Sequence, residues 1–245
     1  MRLFRCNVTS RTTSHGTCDV NRSSSFRTAV SPAADFYARE PADKGKTPWR
    51  DARYCVVDLE LSGLDPLTDE IISYAAVPID SGRVMAGGAL YGLCLPTRPL
   101  PERSTLIHGI RTIDLVDAPP LDEAIQPLIA AMAGRVLVAH VAWVERAFIR
   151  RVFERQRIRL REPILDTCEL SKLLAFERNE LSPPRDLSGL AQSLALPVHR
   201  EHHALGDALT TAQVFIALAT HLDSSSSETV RSLAQATKRM RSHRS

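Results

Sequence analysis

One stretch, Tyr54–Leu61 (YCVVDLEL), limits most sharply what this chain can become. It reads as a buried strand, yet it carries Asp58 and Glu60 two residues apart. The two-residue period of a strand sets both carboxylates on one side and turns Val57 and Leu59 into the opposite layer. Two acids on an otherwise apolar strand repel each other and resist burial. A divalent cation at the strand's end compensates most directly; a pair of solvated carboxylates at a sheet rim is the other reading. The strand ends in the turn signals Ser62-Gly63 and Asp65-Pro66.

Strands and helices alternate beyond it. Ile71–Ile79 and Arg83–Leu95 predict a hairpin joined at Asp80-Ser81-Gly82. Leu121–Ala133 has helical spacing and stops at Gly134. Val136–Ala139 is a short apolar strand, followed by a helix from Trp143 to Gln156. Asp166 is placed to cap a helix through Leu170 and Leu174, and Ala204–Leu222 predicts a last long helix. This order implies a mixed sheet covered by helices on both faces.

Composition narrows the class. With 44% hydrophobic residues over 245, the chain can bury a core, which excludes wholesale disorder. No run of eighteen apolar residues occurs, so a membrane span is not expected. Cys6, Cys18, Cys55, Cys94 and Cys168 form no C-x-x-C pair and read as reduced thiols of an intracellular, cytoplasmic protein. The net charge of +3 hides a segregation: residues 1–50 hold nine Lys/Arg against four acids, and residues 51–222 hold seventeen against twenty-two. The organisation expected is a disordered basic Ser/Thr/Arg-rich extension (1–48), a folded domain (49–222) and a basic tail (223–245) in which Val230, Leu233 and Ala236 support one short helix.

Two further acidic segments sit at strand-to-helix or loop-to-helix entries. In Val138-Ala-His140-Val-Ala-Trp-Val-Glu145, the acid falls in the first turns of a helix, where the dipole favours it anyway. In Glu201-His202-His203-Ala-Leu-Gly-Asp207, His202 stands five residues ahead of Asp207. A base beside metal-ligating carboxylates is what hydrolysis by an activated water requires.

Taken in order and spacing, these segments resemble the DEDDh 3′–5′ exonuclease family, from about Trp49 to Leu222. Leu106-Ile-His108-Gly-Ile110 and Leu165-Asp-Thr167 resemble two more of its segments. The resemblance implies an α/β, ribonuclease H-like three-layer fold with a five-stranded mixed sheet. It implies Asp58, Glu60, Glu145 and Asp207 as ligands of two Mg²⁺ or Mn²⁺ ions. His202 would be the general base, acting with the catalytic acids Asp58, Glu60 and Asp207. Leu61, Ser62, Leu64, His108 and His140 would contact substrate, and His203 falls at a variable place without a catalytic role. The partner implied is nucleic acid with a free 3′ end, DNA or RNA, with association with a DNA polymerase and no membrane. Five positions depart from the family: Glu145 replaces Asp, Val141 replaces Asn, Val144 replaces Phe, and Leu61 and Ser62 replace two threonines, Ser62 keeping the hydroxyl. They motivate the alternative of a weakened nuclease fold serving as a nucleic-acid-binding or polymerase-associated module.

Two signals have plainer readings. The arginines from Arg146 to Arg161 read as a solvated helix face before a phosphate track, and Gln192–Leu196 as a core helix before a clamp-binding peptide. Aromatics at 5% argue against a binder built on stacked bases.

Overall fold

The computed structural model describes residues 30–43, 45–160 and 164–242; Cys6, Cys18, Arg161 and the first 29 residues of the expected extension lie outside it. A first helix, α1 (Pro32–Arg39), precedes the central strand β1 (Tyr54–Leu61). Then come β2 (Ile71–Asp80), β3 (Arg83–Val84), β4 (Leu90–Leu93), α2 (Glu102–His108), α3 (Leu121–Ala124) and α4 (Gln126–Met132). The chain continues as β5 (Val136–Ala139), α5 (Trp143–Arg155), β6 (Ile164–Asp166) and α6 (Thr167–Glu177). It closes with α7 (Leu187–Ser193), α8 (Ala204–Ser225) and α9 (Val230–Ser242).

The sheet runs β3-β2-β1-β5-β6, with β4 also paired to β2, so β3 and β4 share one edge and six segments fill five positions. β2 is antiparallel to β1, while β5 and β6 are parallel to their neighbours. The expected single edge strand from Arg83 is broken by a turn at Ala86–Gly88. Pro78 of β2 accepts from the Met85 N–H but has no N–H to return to that edge, so the ladder lapses there. The expected helix Leu121–Ala133 is likewise two pieces, α3 and α4, divided just before Pro127.

Strand alternation feeds two cores. Tyr54, Val56, Ala75 and Val77 face α8, with α6, α7 and α9 closing that layer. Cys55, Val57 and Leu59 face α4, α5 and α1 on the other side. The result is the three-layer, ribonuclease H-like arrangement of helices around a mixed sheet.

Both ends of the described chain join this body. Within the segment expected to be an extension, Ser31 caps α1, and Tyr37 is buried with its ring edge-on to Phe153 at 4.8 Å. Within the segment expected to be a tail, α9 buries Val230 and Leu233, and the Val230 N–H donates to the Thr47 carbonyl. Cys55, Cys94 and Cys168 are buried free thiols. Helix α7 buries Leu190 and Ala191 but ends at Ser193, so of Gln192–Leu196 only the first two residues are helical and both are exposed, while Leu194 and Leu196 are half-buried in the turn that follows. In the arginine series Arg150, Arg155, Arg157 and Arg159 are exposed, as a solvated face requires; Arg150 pairs with Glu154 (2.9 Å), Arg155 with Asp122 (2.7 Å), and Arg151 reaches the carbonyls of Pro66 and Asp69. Among the described residues no helix is long and apolar enough to cross a membrane.

Candidate active site

Asp58 and Glu60 emerge from β1 on the face that α8 covers, as the strand period requires. Asp207 meets them from the first turn of α8. One oxygen of each carboxylate falls within 4.8 Å of the others. Their charges are mutually costly. Burial, with Glu145, Glu60 and Asp207 close by, holds the Asp58 carboxyl well above the usual carboxylate range. Burial and then Asp207 push Glu60 up to about 7. Burial pushes Asp207 up to about 6, although the His202 N–H opposes this.

Glu145 lies outside that tight group but is coupled to it. It is 7% exposed, and its Oε2 has no hydrogen-bond partner among the described residues. Burial, then the neighbouring charges of Asp166 and Glu60, push it up to about 8 against a backbone hydrogen bond. Asp166 fixes the entry of α5: its carboxylate accepts from the Ala142 and Cys168 N–H groups, each at 3.0 Å. It therefore caps α6 as expected and also pins the loop before Glu145. Three converging carboxylates and an orphaned buried oxygen form a hard, oxygen-only donor set, which fits Mg²⁺ or Mn²⁺ better than zinc.

The loop 199–203 folds over the start of α8. His202 is exposed, and its N–H donates to Asp207 Oδ2 at 3.0 Å. Beside Glu60 opens a cavity of about 430 Å³, lined by Leu61, Ser62, Leu64, Ile107, His108 and Val144 among others. Leu64 stands 64% exposed at this cavity, and His108 is buried in its wall. The Ile110 N–H donates to His108 Nδ1 at 3.1 Å, while Nε2 has no partner among the described residues. Burial pulls this imidazole below its usual range, and because Nδ1 accepts from Ile110, a neutral ring carries its proton on Nε2.

Two expected substrate contacts have other work. His140 Nε2 donates to the Arg185 carbonyl (2.8 Å), and Nδ1 meets the Thr167 hydroxyl (2.9 Å). Both ring nitrogens are spent on joining β5 to α6 and a distant loop. The Ser62 hydroxyl accepts from the Glu70 N–H (2.9 Å) and donates to Asp69 (3.2 Å), closing the turn after β1. Ile107, from the Leu106–Ile110 segment, and Val144, noted above only as a departure from the family, line the cavity; Tyr91 lies on the strand row of Asp58 and escaped the sequence reading. Tyr91 reaches the site through register: Asp58 pairs with Ala75 and Ala75 with Tyr91, so all three share one face.

Residues 55–215 match the family model RNase_T, whose description is exonuclease. The chain is 35% identical over 176 residues to the DNA polymerase III subunit epsilon-like protein of Rhodobacter capsulatus, covering 71% of this chain and 24% of that protein. It thus spans about a quarter of that relative's length. It is 28% identical over 167 residues to the DNA polymerase III subunit epsilon of Aquifex aeolicus, covering 68% of this chain and 80% of the relative. In fold it is similar to exonuclease X, solved in complex with 5′ overhanging duplex DNA: TM-score 0.57, 22% identity, 75% of this chain and 99% of that one.

Proposed function

The chain belongs to the RNase_T exonuclease family, and from that premise we propose that it hydrolyses phosphodiesters at nucleic-acid 3′ ends, releasing nucleoside 5′-monophosphates. The observation that carries this reading is the convergence of Asp58, Glu60 and Asp207 within 4.8 Å beside an open apolar cavity. DNA is the substrate we favour, because the relatives are a DNA polymerase III subunit epsilon and a subunit epsilon-like protein, and the similar fold was solved on DNA. Association with a DNA polymerase and a cytoplasmic location belong to the same proposal.

Asp58, Glu60 and Asp207 would hold a divalent cation, and Glu145, next to Asp58, would serve a second. Such ions, when bound, polarise the phosphodiester and offset charge on the leaving oxygen. The protein's own groups do the rest. The cavity takes the terminal nucleoside: Leu64 and Ile107 offer apolar contact to any base, and His108 in the wall lies against its sugar. His202 accepts a proton from the attacking water as its oxygen bonds to phosphorus. The bond from phosphorus to the 3′ oxygen breaks, and that oxygen takes a proton from solvent to leave as the new 3′ hydroxyl. Release of 3′ label from single-stranded oligonucleotides, dependent on Mg²⁺ or Mn²⁺, tests the reading. Retained oligonucleotide binding with no cleavage would favour a binding module instead.

A further inference from the structure

The turn that carries His202 has a backbone conformation that its residue type disfavours. His202 has φ 53°, in the left-handed region that non-glycine residues enter at a cost. Three contacts hold it there. Its N–H is bound by the Asp207 carboxylate at 3.0 Å. Gly206 lets the Arg200 carbonyl approach so closely that a Cβ would lie 2.1 Å from that oxygen. On the other side, the His203 imidazole stacks on the Tyr91 ring, with centroids 4.7 Å apart and planes 19° from parallel. The first two contacts bind the turn to α8. The third binds it to the sheet, on the strand row that bears Asp58.

We propose that Tyr91 is a positioning residue: its stack on His203 fixes the strained turn so that His202 is held over the Asp58–Glu60–Asp207 cluster. This inference rests on the exonuclease reading above. A general base works only within about 2.6–3.2 Å of its proton, and a displacement near 1 Å costs about 100-fold in rate. A turn tied to α8 alone can pivot with its helix end; a turn also tied to β4 moves with the acids it serves. The stack needs two ring faces. It needs neither the phenol hydroxyl nor a charge on the imidazole.

The test is a set of single-turnover rates and amide exchange measurements on the full chain. Tyr91→Ala and Tyr91→Leu should each lower the cleavage rate about 10–100-fold, with KM changed less than about threefold. Tyr91→Phe and His203→Phe, which keep the ring pair, should stay within about threefold of wild type. Tyr91→Ala/His203→Ala should lose no more than either single variant. In a His202→Ala background, Tyr91→Ala should have no further effect. Wild-type rates in Tyr91→Ala, additive losses in the double variant, or a further loss without His202 would each overturn the proposal. Amide exchange separates it from its premise: Tyr91→Ala should speed exchange at His202 whether or not the chain cleaves nucleic acid. Unchanged exchange there overturns the positioning role, whereas an inactive wild type with faster exchange in the variant overturns only the exonuclease reading.

Discussion

The backbone N–H of His202 donates to the carboxylate of Asp207 at 3.0 Å, so the proposed base and a proposed metal ligand are joined through the main chain. The side chain of His202 is not part of this bond.

That division makes the two functions separable. His202→Ala keeps the N–H and should lower turnover about 10²–10⁴-fold, with Mn²⁺ affinity unchanged within about threefold by titration calorimetry. His202→Pro removes the donor and forbids the positive φ, so it should weaken the cation as well. Equal cation affinity in the two variants would show that the N–H bond does not hold Asp207.

Stability of the cation-free protein should fall as pH rises. Asp207 (about 6), Glu60 (about 7) and Glu145 (about 8) keep protons in the fold that the unfolded chain has released above about pH 4.5. The folded state therefore binds more protons between those limits, and stability is lost as the pH climbs through them. The melting temperature in chelator should drop between about pH 5 and pH 8. Mn²⁺ or Mg²⁺ should restore more of it at about pH 8 than at pH 6. A melting temperature that rises over this range would contradict the shared burial of the acids.

Val141 stands at φ 55°, a conformation that a β-branched residue resists and that Asn tolerates. Val141→Asn should therefore stabilise the fold by about 1 kcal/mol, read from urea unfolding midpoints, without loss of activity. A destabilised variant would mean that the packing of the valine side chain outweighs its backbone strain.

Glu145 reaches one methylene further than Asp would, and Mg²⁺ accepts only near-ideal geometry. Cleavage should be faster with Mn²⁺ than with Mg²⁺, and Glu145→Asp should narrow the difference. Glu145→Ala should be slow with either ion. Full Mg²⁺-dependent activity in Glu145→Ala would leave this buried carboxylate with no part in the reaction.

The acidic face of β1 was legible because strand period two is local: Asp58 and Glu60 must share a side, and Val57 with Leu59 must take the other. Asp207 was legible through its spacing from His202 at a helix start. Tyr91 was not, since its place depends on pairing across Ala75, and register between strands is written in three dimensions. The hydrogen bonds of His140 were not legible for a similar reason. Its partner, the Arg185 carbonyl, lies 45 residues away on a loop. Helix α1 was hidden by its polar composition, its few apolar residues counting only against α4 and α5, whereas the spacing of Val230, Leu233 and Ala236 already marked a short helix where α9 stands. The broken edge strand followed from Pro78, which lies on the neighbouring strand.

The most direct measurement compares wild type with Asp58→Asn on one single-stranded DNA labelled separately at each end, in Mg²⁺ and in Mn²⁺. The account predicts that wild type releases the 3′ label as a mononucleotide and shortens the 5′-labelled strand stepwise. Asp58→Asn, folded by circular dichroism, should do neither. Stepwise loss from the 5′ end, or Asp58→Asn cutting at the wild-type rate, would contradict it.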